Sequence, residues 1–356
     1  MMRRSTWSVL GGIAFCFLGL AGSVPAQTNG GTGILKIKPG ARATGMGQAG
    51  VALDQRAHSV WWNPALLAEA GNKQVSSTMA KLVPDLANDV YYLNMGYAQH
   101  LEGWGGVAFD VMYLSYGKTE ATDTDGNSHG FFSSYEFVPV LGFGTKLIEG
   151  EPEALLSDLE VGIALKYVLV DLAPEWALQI VGVNKDGRAD AFGVDLGMAV
   201  RGKVSGLPYS IGMNVQNLGS ELVFIDADQG DPLPHNLKLG IGLGLVQTDR
   251  LGVVVAVDVN KPLIRYPPGL AVEGQPGFGW GNMQELWNAG AELTAMERLH
   301  FRLGYVNDPE GEIQAMTFGA GLDVAFGDRT ILFDYSSVPQ ALDLERVSYL
   351  SVGVQF

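Results

Sequence analysis

The sequence predicts an all-β fold: a transmembrane antiparallel β-barrel of about 14 strands, with an N-terminal hatch segment folded into its lumen. Three observations predict it. Apolar residues recur at every second position through most of the chain after residue 73. The opposite face is Gly, Ala or charged. The connections alternate between short and long.

Composition frames the choice. The chain has 356 residues, a formal net charge of −15, 47% hydrophobic residues and only 17% charged ones. Its 48 glycines are about twice the usual share of roughly 7%. Such a length holds two or three soluble domains or one large barrel. The acidic balance excludes a partner whose phosphates must be neutralised, so no nucleic acid is expected. One Cys excludes a disulfide or Cys-based zinc framework. The aliphatic and aromatic content excludes a disordered chain.

Residues 1–26 read as a secretory signal peptide. Arg3 and Arg4 form the charged start, Trp7 to Ala21 are apolar, and Val24-Pro25-Ala26 offers cleavage near Ala26. Cys16 follows Phe15, where lipoprotein processing needs a small residue, so lipidation is not expected. Losing this segment takes the net charge from −15 to −17. No later uncharged apolar run approaches the ~18 residues of a spanning helix. An exported chain of this kind is a soluble β-protein or a closed barrel in the outer membrane of a diderm bacterium. The barrel reading makes outer-membrane lipids and the barrel-assembly machinery its partners.

Residues 27–73 do not alternate and form the expected hatch. Gly45-Met46-Gly47-Gln48-Ala49-Gly50 is formally G-x-G-x-x-G, but no βαβ repeat follows it. Its glycines are read as allowing tight packing. Asn63-Pro64 favours a turn, and Pro64 fixes φ where a helix can start.

Residues 74–356 form the expected barrel. Strands are predicted at 74–81, 89–101, 104–116, 134–147, 158–172, 188–202, 207–217, 235–247, 250–260, 286–296, 298–306, 313–326, 329–336 and 345–356. The clearest runs are Leu237, Leu239, Ile241, Leu243 and Leu245 against Gly240, Gly242 and Gly244, and Met316 to Phe326. Many strands exceed the roughly 5–6 residues usual in soluble proteins and match the roughly 9–11 that cross a membrane. Tight turns follow even-numbered strands, as at Leu101-Glu102-Gly103 and Gly327-Asp328. Long loops at 117–133, 173–187, 218–234 and 261–285 follow odd-numbered ones. That asymmetry and the even strand number fit an outer-membrane barrel.

The inward face carries Asp110, Lys166, Asp195, Lys238, Asp258, Glu292, Arg302, Asp323 and Asp334. A lipid-facing Lys or Arg costs up to ~2–4 kcal/mol at the midplane, which places such charges in the lumen. They form a polar path for a ligand or a paired lattice that packs the hatch; the intervening Gly and Ala favour the lattice. Asp123-Thr124-Asp125-Gly126-Asn127 has acidic spacing, but an EF-hand loop would need Gly at Ser128 and Glu at Ser134. A solvated turn is expected, with calcium left open. Asp226, Asp228 and Asp231 are read as loop surface charge. Trp176, Tyr266 and Trp280 mark loops that a protein partner could touch. His58, His100, His129, His235 and His300 show no metal-ligand spacing, and no G-x-S-x-G elbow is present. No metal, cofactor or catalytic activity is expected.

The chain closes with Tyr349-Leu350-Ser351-Val352-Gly353-Val354-Gln355-Phe356. Val352, Val354 and Phe356 resemble the terminal-strand signal that outer-membrane assembly machinery reads.

Gly40 to Ala52, then Trp61-Trp62-Asn63-Pro64-Ala65-Leu66-Leu67-Ala68, resemble the N-terminal signature of PorV/PorQ-type outer-membrane proteins, relatives of the FadL long-chain fatty-acid transporters. Asn217-Leu218-Gly219 with Asp231-Pro232-Leu233-Pro234 also resembles their pattern. The resemblance implies a fourteen-stranded barrel whose hatch carries Gly45, Met46, Gly47, Asn63, Pro64 and Ala65. It implies a role in type IX secretion or surface attachment, with secretion-system components and sorting-domain cargo as partners. The alternative it implies is FadL-like uptake of a hydrophobic ligand. Trp62 stands where Tyr is commoner, and Leu66 where Gly is usual.

Overall fold

A computed structural model describes residues 32–71, 73–224, 230–263, 285–309, 311–341 and 344–356. The expected signal peptide lies outside these residues, as do Cys16, Asp226, Asp228, Tyr266 and Trp280.

Fourteen antiparallel strands close into one barrel. They are β1 (Gln74–Lys81), β2 (Val90–Leu101), β3 (Gly105–Thr122), β4 (Ser128–Glu149), β5 (Asp158–Asp171), β6 (Arg188–Val204) and β7 (Leu207–Gly219). The second half is β8 (Asn236–Gln247), β9 (Leu251–Pro262), β10 (Leu286–Ala295), β11 (Leu299–Asp308), β12 (Ile313–Phe326), β13 (Arg329–Val338) and β14 (Val347–Gln355). Neighbours in sequence are neighbours in the sheet, and β1 pairs with β14 from Gln74↔Gln355 to Ala80↔Tyr349. Closure removes every edge within the barrel wall, which lipid requires. The N–H of Phe356 donates to the Lys73 carbonyl at 2.9 Å, so the terminal residue itself finishes the seam.

The two faces follow the alternation. Phe109, Leu141, Leu165, Ile241, Phe301, Phe318, Leu350 and Val352 are exposed on the outer face and form an apolar belt. An apolar surface this extensive suits contact with an apolar phase. Tyr91, Tyr113 and Tyr135 lie side by side on β2, β3 and β4, with ring centroids 6.1 and 5.8 Å apart. Trp104 is exposed near the opposite end. Aromatics at both ends suit the two membrane interfaces. The long connections share the Tyr91 end, which is therefore the outer one.

One expected loop is mostly sheet. Residues 117–133 continue β3 and β4 as a ribbon, paired from Lys118↔Ser133 to Thr122↔Ser128, and only 123–127 connect them. Thr119, Thr122, Phe131 and Phe132 suit strands. A bulge between Ser115 and Lys118 shifts the register, and so hides the continuation from a reading based on strict alternation. The connection after β7 also folds locally, where Glu221–Leu222 pairs with Asp231–Pro232.

Residues 32–71 lie within the barrel. Two short α-helices, α1 (Ala41–Gly45) and α2 (Ser59–Trp62), alternate with 3-10 turns at Ile34–Lys36, Arg56–His58 and Pro64–Glu69. The segment starts near the outer end, where the Thr32 hydroxyl and the Gly33 and Ile34 N–H groups donate to the Glu136 carboxylate. It reaches the short-turn end at Gly71, whose carbonyl accepts from the His100 N–H. Then β1 begins.

Candidate functional site

The candidate site is the seat of the hatch, built from residues whose sequence roles are mostly conformational. Asn63 ends α2 in an extended conformation, and its side-chain oxygen accepts from the Ala65 N–H at 3.1 Å. Pro64 follows as the first residue of the 3-10 turn, where no N–H is needed. The Asn63 amide donates to the carbonyls of Val51 and Met198, both at 3.0 Å. One buried side chain thus joins two parts of the hatch to strand β6. Ala65 and Leu66 pack on Ala199 of the same strand. Facing this turn are Gly144, Gly162 and Gly197. A Cβ on any of them would overlap Pro64 or Asn63 well inside van der Waals contact. The glycines of β4, β5 and β6 therefore admit the hatch backbone against the wall backbone.

The Gly-Met-Gly motif seats on the other side. Gly47 has φ +67° and its N–H donates to the Thr317 hydroxyl at 2.9 Å, which in turn donates to the Gly45 carbonyl. Met46 is fully buried, and Gly290 and Gly304 leave room for the Met46–Gly47 backbone. Gly50 carries a separate load: a Cβ there would lie 2.7 Å from the Trp62 ring. The larger ring at position 62 is thus accommodated by Gly50, and the Trp62 indole N–H donates to the Pro39 carbonyl at 3.0 Å.

The inward charges bond mainly to the hatch and to each other. Arg302 donates to Glu292 and to Asp334, both at 2.6 Å. Arg42 of the hatch meets Glu292 at 2.8 Å, and Arg56 meets Asp334 at 2.7 Å. Asp323 is half-buried, 3.8 Å from Arg56 and 3.3 Å from His300. Asp258 accepts from the Gly50 and Val51 N–H groups at 2.7 and 2.9 Å. Asp110 binds Asn94 and lies 3.3 Å from His58, whose other ring nitrogen meets the Thr78 hydroxyl at 3.2 Å. Lys166 contacts Asp195 and the Asn217 side-chain oxygen, both at 2.7 Å. Lys238 is buried without a hydrogen-bond partner, its ammonium 3.8 Å from the Trp61 ring centroid and 4.6 Å from that of Trp62. Burial favours the neutral Arg42, but Glu292 outweighs it and raises the guanidinium pKa above its ordinary value.

Asn217 gives the Asn-Leu-Gly and Asp-Pro-Leu-Pro motifs a structural role. Its backbone has φ +63°, its N–H donates to Asp195 and its amide donates to the Pro234 carbonyl at 2.7 Å. It holds the connection after β7 to the wall, and Leu222 and Leu233 are fully buried in the core that contains Trp61 and Val168. Arg42, Arg56 and Glu136 were not singled out from sequence. Glu136 could have been, because it shares the inward parity of its predicted strand. Beneath the hatch arginines lies a cavity of about 20 Å³, lined by His58, Ser76 and Ser351. That is room for one water.

Val352, Val354 and Phe356 face outward on β14 and at its end. Asp123 accepts from His129 and from the side chain and backbone of Asn127. These bonds hold its carboxyl well below the usual range. Among the described residues no group of three or more acids, His or Cys is placed to hold a metal. Trp176 packs edge-on against Phe132 at 6.2 Å.

A closed barrel with an apolar outer belt and an internal segment is the architecture of an outer-membrane β-barrel protein. The family described as type IX secretion system protein PorV matches residues 26–269, more than half of the chain, and the protein belongs to that family. Comparison with curated proteins finds no match. Among solved structures, the Ralstonia pickettii toluene transporter TbuX is similar at 13% identity, covering 89% of this chain and 97% of its own, with TM-score 0.51. The Pseudomonas putida toluene transporter TodX is similar at 15% identity, covering 93% and 98%, with TM-score 0.50. The CymD monoaromatic hydrocarbon channel is similar at 14% identity, covering 88% and 96%, with TM-score 0.50. These likenesses concern the fold alone.

Proposed function

We propose that the protein works in type IX export as a closed outer-membrane platform, meeting secretion-system components and sorting-domain cargo at its outer loops. The observation that carries this reading is the seat of the hatch. Its backbone lies against wall glycines on one side and its arginines pair with wall carboxylates on the other. A segment held this way fills the lumen instead of lining a path through it. The apolar outer belt takes lipid as its solvent, and the β14 terminus fits recognition by barrel-assembly machinery after signal-peptide removal near Ala26. No catalytic step enters the reading: Asp110, His58 and Thr78 stand in series but are spent on joining hatch and wall.

The test is deletion of the gene in the native cell, with surface labelling of a sorting-domain protein. Loss of surface display with accumulation in the periplasm is expected. Undiminished display would overturn the proposal. Uptake of a hydrophobic molecule has the shared fold in its favour and the filled seat against it; a hydrocarbon-uptake defect in the same strain would revive it.

A further inference from the structure

The ribbon formed by the outer ends of β3 and β4 has two edges, and they differ. The β4 edge is covered. Trp176 packs edge-on against Phe132 and lies near Gly130, and the Ser134 hydroxyl donates to the Leu172 carbonyl. Among the described residues the β3 edge is not covered in this way. Strand β2 pairs with β3 only as far as Val90↔Tyr116, while β3 continues to Thr122. Lys118, Thr119, Glu120 and Thr122 are all exposed.

The backbone direction along this edge can be read from one bond. The Lys118 N–H turns away from β4 and donates to the Asp89 carboxylate at 2.9 Å. In an antiparallel ladder alternate residues point their N–H and C=O the same way. Glu120 therefore also directs its backbone groups outward. Asp89 fills the place that a neighbouring strand's carbonyl would take at Lys118, and among the described residues no group takes the next place along the edge.

We propose that this edge is a docking site that adds one extended strand, bearing Lys or Arg, from an exported protein. Backbone hydrogen bonds to an exposed edge supply affinity, and side chains select the partner. Here the selecting charges are Glu120 at the edge and Asp123 and Asp125 at the tip, against Lys118 alone. A second copy of the chain, paired through the place left at Glu120 because Asp89 takes the one at Lys118, would set Glu120 against Glu120 in the symmetric register, which is unfavourable across paired strands. A basic strand meets opposite charge. The exported origin of the strand rests on the type IX reading; the edge itself does not.

The test uses the full-length barrel in detergent micelles and three synthetic peptides. One alternates Thr and Lys, one is the same peptide with alternate backbone N-methylation, and one alternates Thr and Glu. The Lys peptide is expected to bind, and the other two are not. Glu120→Pro removes an outward N–H together with the Glu120 carboxylate, without touching the ladder to β4, and edge strands tolerate Pro. It should weaken the Lys peptide by about tenfold. Glu120→Lys should weaken the Lys peptide and admit the Glu peptide. Heat-modifiable gel mobility checks folding of each variant, and Glu120→Lys carries the test if the Pro variant does not fold. No binding of the Lys peptide, or binding indifferent to both substitutions, overturns the proposal. In cells, display lost on deletion but intact in both variants overturns the edge and spares the type IX reading. Display intact on deletion, with peptide binding retained, overturns the type IX reading and spares the edge.

Discussion

The hatch meets the wall differently on two sides of the lumen. Along β4, β5 and β6 it lies on Gly144, Gly162 and Gly197, with backbone against backbone and Asn63 as the polar link. Along β10, β11 and β13 it is held by Arg42 and Arg56, which share Glu292 and Asp334 with Arg302. The first side depends on the absence of side chains. The second depends on charges that balance inside a poorly hydrated space. Close packing sets position and tolerates no added atoms. A charge network tolerates adjustment of side chains but not the loss of one member.

The comparison predicts the largest effect on the glycine side. Gly162→Val puts new atoms where Pro64 and Ala65 already are, and the colliding atoms are backbone, which cannot swing aside. The expected cost is about 4 kcal/mol or more, beyond ordinary overpacking. Denaturant unfolding in micelles and heat-modifiable mobility would show it as a loss of the stable barrel form. A change under about 1 kcal/mol would mean that the hatch moves easily on this side.

Removal of a charge comes next. Arg302→Met leaves Glu292 with Arg42, and Asp334 with Arg56, but strips each carboxylate of a second buried partner. The expected cost is about 3 kcal/mol, the low end for breaking a buried network. Because the pairs are buried, the wild-type advantage should persist when salt is raised. A salt-dependent advantage would show that the arginine side is open to water.

The barrel was legible in the sequence because lipid imposes period-2 alternation on each strand and closure demands an even, hairpin-linked series. The ribbon at 117–133 was not, because the bulge after Ser115 breaks parity where the wall ends. The seat was legible in part. Gly45, Gly47 and Asn63 stood out as conformational punctuation, and the inward acids followed from strand parity. What they bond to did not. Arg42 stands just before the glycine motif, and nothing near it in sequence points to Glu292, 250 residues away. Lys238 looked like its neighbours in the strand pattern, yet it lies against indole rings and not against a carboxylate. Alternation tells which face a charge takes; its partner is fixed by strand register and by the path of the hatch.

The smallest effect separates two cations of the hatch itself. Arg42 has Glu292, which raises its pKa, so its contribution is complete below the unfolded value and unchanged from about pH 7 to about pH 10. Lys38 is partly buried, and burial lowers its pKa, with Asp308 opposing and Lys36 assisting; Lys238 is a further nearby cation. For a cation with a lowered folded pKa, the unfolded chain binds more protons across the interval between the two values. Stability then rises with pH. Lys38→Met removes that dependence. The variant should be the more stable at about pH 7, and its advantage over wild type should shrink toward about pH 10. Unfolding both proteins at several pH values isolates Lys38, because every other titrating group is common to them. Parallel profiles would show that Lys38 is as well solvated in the lumen as in the unfolded chain, and would move the boundary between the wet and dry parts of the seat inward past Lys38.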